Sequence, residues 1–418
     1  AMQFTETVPW VPSLGITYSL GVDGISLLFI FLTALLGWIC VVASWEAIDT
    51  KVKEFMISLL VMQSLMLGVF SAMDLFLFYV FWEAMLIPMY LIIGVWGGKE
   101  RVYAAFKFFL YTLAGSLLFL VGIVVLYFQG GETFDIVTLM KGDYSFTVQA
   151  WVFLAFLVAF AVKVPMVPLH TWLPDAHVQA PTAGSIVLAG VLLKMGAYGF
   201  LRFSLPMLPD ASHYFATLIQ VLSVVSIIYG GFLALAQEDV KKLVAYSSVS
   251  HMGFVTLGLF TFNAKGMEGA VLQMFNHGIT TGALFLFVGL IYERTQTRII
   301  SDYGGLMKIV PVYGILLCVF TLSSIAVPGT NAFVGELLVL AGAFGANKAI
   351  GAAAVAGAVL SAAYMLGFYR QVALGPAVAM GGRGMWDINA REMAGILPLV
   401  VFVFWVGFYP KPFIDILH

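Results

Sequence analysis

The sequence predicts an all-α, polytopic membrane helix bundle, and three observations lead there. Of its 418 residues, 61% are hydrophobic and only 10% are charged, whereas soluble domains carry about 25% charged residues. Apolar runs of roughly 20 residues recur from Gly21 onward, each long enough to cross ~30 Å of hydrocarbon. Two further runs are too long for one crossing and hold proline inside them. Such runs are far too continuous for β-barrel strands.

Residues 1–20 are polar and proline-containing and read as an extramembrane connector. No basic segment followed by a short apolar core marks a signal peptide there. A leading membrane helix follows over 21–43. Five crossings then fill 55–205, at 55–72, 74–96, 103–128, 147–168 and 182–205. Five more fill 214–374, at 214–236, 241–263, 267–292, 310–345 and 349–374. Residues 375–418 supply a cytoplasmic loop and a final membrane helix at 392–410. The count is twelve crossings.

The two anomalous runs organise the rest. An unbroken helix over 147–179 would be roughly 50 Å long at 1.5 Å per residue. It contains Pro165, Pro168 and Pro174, and 310–345 contains Pro328 and Gly329. Proline removes a backbone donor and clashes with the preceding turn, so both runs should be broken helices. In lipid a break is tolerated only where protein or a water cavity covers it. Each break falls in the fourth crossing of its block. Five is odd, so the second block enters from the opposite side. The blocks therefore read as inverted five-helix repeats with the functional site near the midplane.

Numbering the loops alternately puts twelve Lys and Arg on one side, Arg383 among them, and five on the other. The positive-inside rule makes the first side cytoplasmic and turns both ends of the chain outward. Cys40 and Cys318 lie in apolar helices and read as small buried hydrophobes. No cysteine cluster, GxGxxG after a strand or phosphate-binding glycine loop occurs. Metal, iron–sulfur, haem and nucleotide sites are not expected in this chain. A net charge of −2 gives no basic patch for nucleic acid.

Four charges stand inside the apolar runs: Glu83, Lys163, Lys194 and Glu336. A charge at the bilayer centre costs on the order of 2.5–3.5 kcal/mol by insertion scales, so it persists with a partner, a water path or a task. A buried carboxylate and a buried amine are driven towards neutrality by desolvation and towards charge by each other, which suits proton exchange. Glu83 is the obvious partner candidate for Lys163, which stands at the first break. Lys194 is mid-span among small residues, and Glu336 follows Gly329 at the second break. His251 and His277 lie in the intervening helices, and imidazole can accept on one nitrogen while donating from the other. The competing reading of each charge is a static ion pair, snorkelling, or a bond to freed backbone. For each histidine it is a packed core residue. Asp74, Lys107, Asp175 and His177 read as interface anchors or caps, and Asp239, Lys241 and Lys242 as cytoplasmic loop charge.

The stretch VKVPMVPLHTWLPDAHVQAPTAGSIVLAGVLLKMGAYGFLRF (162–203) resembles the proton-translocating antiporter-like subunits of respiratory complex I, most closely the NuoM type. MDLFLFYVFWEAMLIPMYLIIGVWGG (73–98), QEDVKKLVAYSSVSHMGFV (237–255), VLQMFNHGITTGALF (271–285) and GVDGISLLF (21–29) match the same family. The resemblance implies fourteen helices in the full fold, two more than counted here. It places the missing pair before Ala1, and the lack of a long lateral helix argues against the distal subunit. It identifies Glu83 and Lys163 with a glutamate–lysine pair, Lys194 with a central relay lysine, and Glu336 with a terminal glutamate. His251 and His277 correspond to histidines between them.

The implied function is proton translocation in NADH:quinone oxidoreductase, without a redox centre in this chain. Protons would pass from Lys163 and Lys194 along His251, His277 and water to Glu336. NADH, FMN, iron–sulfur clusters and quinone would belong to partner subunits. The partners implied are sister antiporter-like subunits on either side, the distal subunit's lateral helix, and lipids, in a bacterial inner membrane. The alternatives are a subunit of an Mrp-type Na+/H+ antiporter, of a membrane-bound hydrogenase or formate hydrogenlyase, or a passive spacer.

Overall fold

A computed structural model describes residues 2–376 and 385–417. Arg383, one of the charges used for orientation, lies outside the described residues. The segment expected as an extramembrane connector contains an antiparallel hairpin of β1 (Gln3–Val11) and β2 (Ile16–Val22). Its sequence alternates β-branched and aromatic residues around Pro12–Gly15, which is strand chemistry. Asp74 anchors it, accepting from the Thr17 amide at 2.9 Å and hydroxyl at 3.1 Å. The same carboxylate caps the third membrane helix through the amides of Phe76 and Leu77, as its expected capping role required.

The membrane helices follow as α1 (Gly24–Ala47), α2 (Val52–Ser71), α3 (Leu75–Trp96), α4 (Arg101–Gln129), α5 (Phe146–Lys163), α6 (Trp172–Gln179) and α7 (Thr182–Met207). Next come α8 (Pro209–Leu235), α9 (Val240–Leu259), α10 (Ala264–Thr295), α11 (Pro311–Ser324), α12 (Asn331–Ala346), α13 (Lys348–Leu374) and α14 (Ala390–Phe408). Among the described residues, ten of these are long and apolar enough to cross a membrane. To these add α9, with 20 residues, and the broken pair α11–α12. Together they match the twelve spans read from the sequence. Gly24 lies against the Ile416 carbonyl, so the two ends of the chain share one face of the bundle.

Both breaks occur where proline predicted them, and both are covered by protein. At the first, the Val167 amide donates to Ser226 Oγ at 3.0 Å, and the Trp172 indole donates to the Val162 carbonyl at 2.9 Å. At the second, the Asn331 carbonyl accepts from Asn276 Nδ2 at 2.7 Å, while Asn331 Oδ1 accepts from Ser323 Oγ at 2.6 Å. These side chains replace the hydrogen bonds that the helix gives up. Helices α7 and α10 form the centre, with their most apolar stretches wholly buried. α9 is buried almost throughout yet carries Ser247, Ser248, Ser250, His251 and Thr256. Its polarity faces the interior, not water.

Candidate functional site

α7 and α10 cross at Gly190 and Gly278. A Cβ on Gly278 would stand 3.0 Å from the Gly190 carbonyl oxygen and 2.6 Å from Leu32 Cδ2. Only glycine permits this approach, and it brings Lys194 onto His277. Lys194 is fully buried, one residue beyond the C-cap of a π-helical turn over Leu188–Leu192. Its Nζ donates to the Ala189 carbonyl and lies 2.5 Å from His277 Nδ1. The other ring nitrogen of His277, Nε2, is buried without a hydrogen-bond partner among the described residues. The His251 ring follows, with its centroid 5.9 Å from that of His277.

His251 Nδ1 is 3.1 Å from Glu336 Oε1. The same carboxylate oxygen accepts from Gln273 Nε2 at 3.1 Å. His251 Nε2 lies 3.4 Å from the Tyr364 hydroxyl and 3.5 Å from Ser324 Oγ. The imidazole can thus donate to the carboxylate from one nitrogen while accepting on the other. Lys194, His277, His251 and Glu336 form one buried row of exchangeable protons. The expected route ran through the histidines in the opposite order, His251 before His277. Chain order misleads because His277 is placed where α10 crosses Lys194 on α7, whereas His251 on α9 is placed against Glu336 on α12.

Glu83 and Lys163 are the looser end of the arrangement. Lys163 is 1% exposed, and its Nζ has no hydrogen-bond partner among the described residues. It sits 4.9 Å from the centre of the Trp82 ring, a cation–π distance. Glu83 Oε1 is also buried and unpartnered, with Ser116 beside the carboxyl and Lys163 within electrostatic reach. The expected pair faces across a gap instead of closing into an ion pair.

Two expectations need correction. His177, read as an interface anchor or cap, is fully buried, and neither ring nitrogen has a hydrogen-bond partner among the described residues. Its ring stacks on Phe285, centroids 4.4 Å apart and planes 10° from parallel. Lys241, read as loop charge, is 7% exposed and donates to the Ala180 carbonyl at 2.5 Å. Lys107 and Asp175 pair with each other at 2.6 Å. The signal missed for His177 was its place two residues before the end of the short helix α6, which fills the first break. Asp239 caps α9 through the amides of Lys241 and Lys242.

The family model described as "NADH:quinone oxidoreductase/Mrp antiporter, TM" matches residues 72–361. The chain is 52% identical over 429 aligned positions to NADH-quinone oxidoreductase subunit M of Rhodobacter capsulatus, covering 100% of this chain and 83% of that protein. It is 46% identical over 417 positions to NADH-ubiquinone oxidoreductase chain 4 of Marchantia polymorpha, covering 100% and 84%. A chain of respiratory complex I from Thermus thermophilus with bound NADH superposes with a TM-score of 0.91. That match has 33% identity and covers 99% of this chain and 90% of the other.

Proposed function

We infer, since the chain belongs to the NADH:quinone oxidoreductase/Mrp antiporter family of membrane subunits, that it is the M-type (chain 4) antiporter-like subunit of a respiratory complex I and translocates protons. The observation that carries the proton route is the row Lys194–His277–His251–Glu336. A proton reaching Lys194 can pass to His277 across a contact already at hydrogen-bonding distance. His277 Nε2 then hands a proton on to His251, whose ring centroid lies 5.9 Å from its own. His251 Nδ1 delivers it to Glu336, which releases it on the opposite side.

His177 is the candidate for uptake ahead of Lys194, because it is buried in the first break with both ring nitrogens unpartnered among the described residues. The Glu83–Lys163 pair acts as the switch. Closed, it holds the lysine charged; open, it lets the lysine give up its proton. The driving energy comes from partner subunits carrying NADH, FMN, iron–sulfur and quinone chemistry. Sister antiporter-like subunits flank this one, with the distal subunit's lateral helix and lipids alongside. The setting is a bacterial inner membrane, with both ends of the chain facing outward. Mrp antiporter membership is the weaker reading, given 52% identity to a complex I subunit M. The test is Lys194→Ala or Glu336→Ala in assembled complex reconstituted into liposomes. Fewer protons moved per electron pair, or coupled loss of NADH oxidation, is expected. Wild-type values of both would sink the relay.

A further inference from the structure

The second block buries a polar side chain that takes no part in the row Lys194–His277–His251–Glu336. Gln273 lies on α10 one helical turn before His277 and is 1% exposed. A buried carboxamide costs free energy unless its groups are bonded, and a leucine would fill the same apolar space without that cost. Gln273 Nε2 donates to Glu336 Oε1 at 3.1 Å, yet its own Oε1 is buried without a hydrogen-bond partner among the described residues. Gln149, also buried, uses both ends: Nε2 donates to the Tyr144 carbonyl and Oε1 accepts from the Asp210 amide, each at 2.9 Å.

The packing of α10 on α12 holds Gln273 in place. A Cβ on Gly269 would stand 2.6 Å from the Val339 amide nitrogen, so the two helices meet backbone to backbone. One turn along each helix, Gly335 gives the carboxamide its room. A Cβ there would collide with Gln273 Oε1 and stand 3.1 Å from Asn276 Nδ2. Asn276 is itself tied down, donating to the Asn331 carbonyl at 2.7 Å. Gln273 is therefore confined between Gly335 and Glu336, and its last torsion, which joins an sp3 to an sp2 carbon, is the soft one.

Glu336 Oε1 also faces His251 Nδ1 at 3.1 Å. When His251 gives its Nδ1 proton to this oxygen, the needs of the carboxyl reverse. The carboxylate requires donors, and the Gln273 amide group is one. The carboxylic acid is a donor and requires an acceptor. A carboxamide carries both functions, and half a turn about its last bond exchanges them. Bonded back to His251 Nδ1, the new O–H stands ready to return; bonded to Gln273 Oε1, it points away from its source.

We propose that Gln273 is a positioning residue that keeps Glu336 bonded in both protonation states, donating to the carboxylate from Nε2 and, with the amide turned over, accepting the carboxylic acid O–H on Oε1. It exchanges no proton itself: the proton leaves His251 Nδ1 and rests on Glu336 Oε1. The proposal deepens the relay reading above and rests on it.

The test is Gln273→Met in assembled complex, because methionine is unbranched and of similar length but offers no N–H donor and no amide oxygen. Two quantities are read: protons moved per NADH oxidised in liposomes, and the infrared C=O stretch of protonated Glu336, identified as the band that Glu336→Gln removes. The expected result is fewer protons per NADH, or several-fold lower turnover, together with a band moved to higher wavenumber, as for a carboxylic acid that has lost a partner. Gln220→Met, which removes a buried bond to the Phe260 carbonyl at 2.7 Å, should change neither. If Gln273→Met does not assemble, Gln273→Asn carries the same test, being polar but one methylene too short to reach the carboxyl. An unmoved band overturns the role whatever the pumping, since a purely structural loss leaves the band in place. Wild-type pumping and turnover overturn it as well. Full pumping by Glu336→Gln would instead overturn the relay reading itself, so the two failures are distinguishable.

Discussion

Glu336→Gln separates the chemical role of this carboxylate from its structural one. Oε1 accepts from two buried donors, His251 Nδ1 and Gln273 Nε2, each at 3.1 Å. Hydrogen bonds to a charged group contribute about 1.5–3 kcal/mol, and neutral ones about 0.5–1.5. Removing the charge from two such bonds therefore forfeits about 2–3 kcal/mol. Against that, the intramembrane carboxylate no longer carries its insertion cost of roughly 2.5–3.5 kcal/mol. The two effects nearly cancel, so the amide variant should assemble with a melting temperature close to wild type. Glu336→Ala differs, because it leaves both donors without an acceptor at about 1–3 kcal/mol each. The assay is proton translocation per NADH oxidised in liposomes, alongside thermal unfolding of the complex. Glu336→Gln should keep stability and lose this unit's share of pumping, or lose turnover with it. Full pumping would refute the terminal role of Glu336. A large loss of stability would refute the energetic reasoning.

Gly278→Val should be disruptive, because even a Cβ would meet the Gly190 carbonyl oxygen at 3.0 Å. Overpacking of this kind costs typically 1–3 kcal/mol; a lower melting temperature together with lost pumping is expected, whereas Gly345→Ala, which meets nothing within 4 Å, should change neither. Glu83→Gln should leave assembly intact, since the carboxyl is not closed on Lys163, yet shift the pH dependence of NADH-driven pumping; an unchanged profile would refute the switch. Asp23 gives a pH test of stability. Burial pushes its carboxyl up, but the Arg202 guanidinium, bonded at 2.6 and 2.7 Å, and Ser26 together hold it below its ordinary value. A depressed folded-state value means that the pair's contribution is present above the unfolded pKa of about 3.9 and is lost as pH falls through the lower folded value. The melting-temperature gap between wild type and Asp23→Asn should therefore narrow below about pH 4 and hold steady above it; a gap constant into that acid range would count against the assignment.

Hydrophobic runs and prolines made the helices legible, because both act locally and survive projection onto a line. The spans at 55–72 and 74–96 lie within a few residues of α2 and α3, and Pro165 and Pro328 stand beside the places where α5 and α11 end. The hairpin was legible in kind: Thr5, Thr7, Ile16, Thr17 and Tyr18 flank a proline–glycine turn. A reading that seeks membrane spans passes over so short a segment. What sequence could not supply was contact between helices. Nothing local says that His277 precedes His251 along the row, or that Lys163 and Glu83 stand apart. His177 and Lys241 were misread for a related reason. A charged or titratable residue near a span end usually faces the headgroups, but here Phe285 covers His177 and the Ala180 carbonyl takes Lys241.

The contrast between the two lysines suggests how a remote signal could reach the row. Lys194 is fixed inside a wholly buried helix and already touches its acceptor. Lys163 is the last residue of α5, at a break, with no hydrogen-bond partner among the described residues. A small displacement of the α5 end would change the Lys163–Glu83 separation while leaving the Lys194–His277 contact formed. That displacement would still be felt by α7. A Cβ on Gly196 would stand 2.8 Å from the Phe160 carbonyl oxygen and 3.1 Å from Lys163 Cβ. The two helices therefore touch within two residues of Lys194, and close-packed contacts transmit displacement rather than absorb it. The broken helix then acts as the movable part and the row as the fixed part. This division accounts for an open pair and a closed one in a single structure.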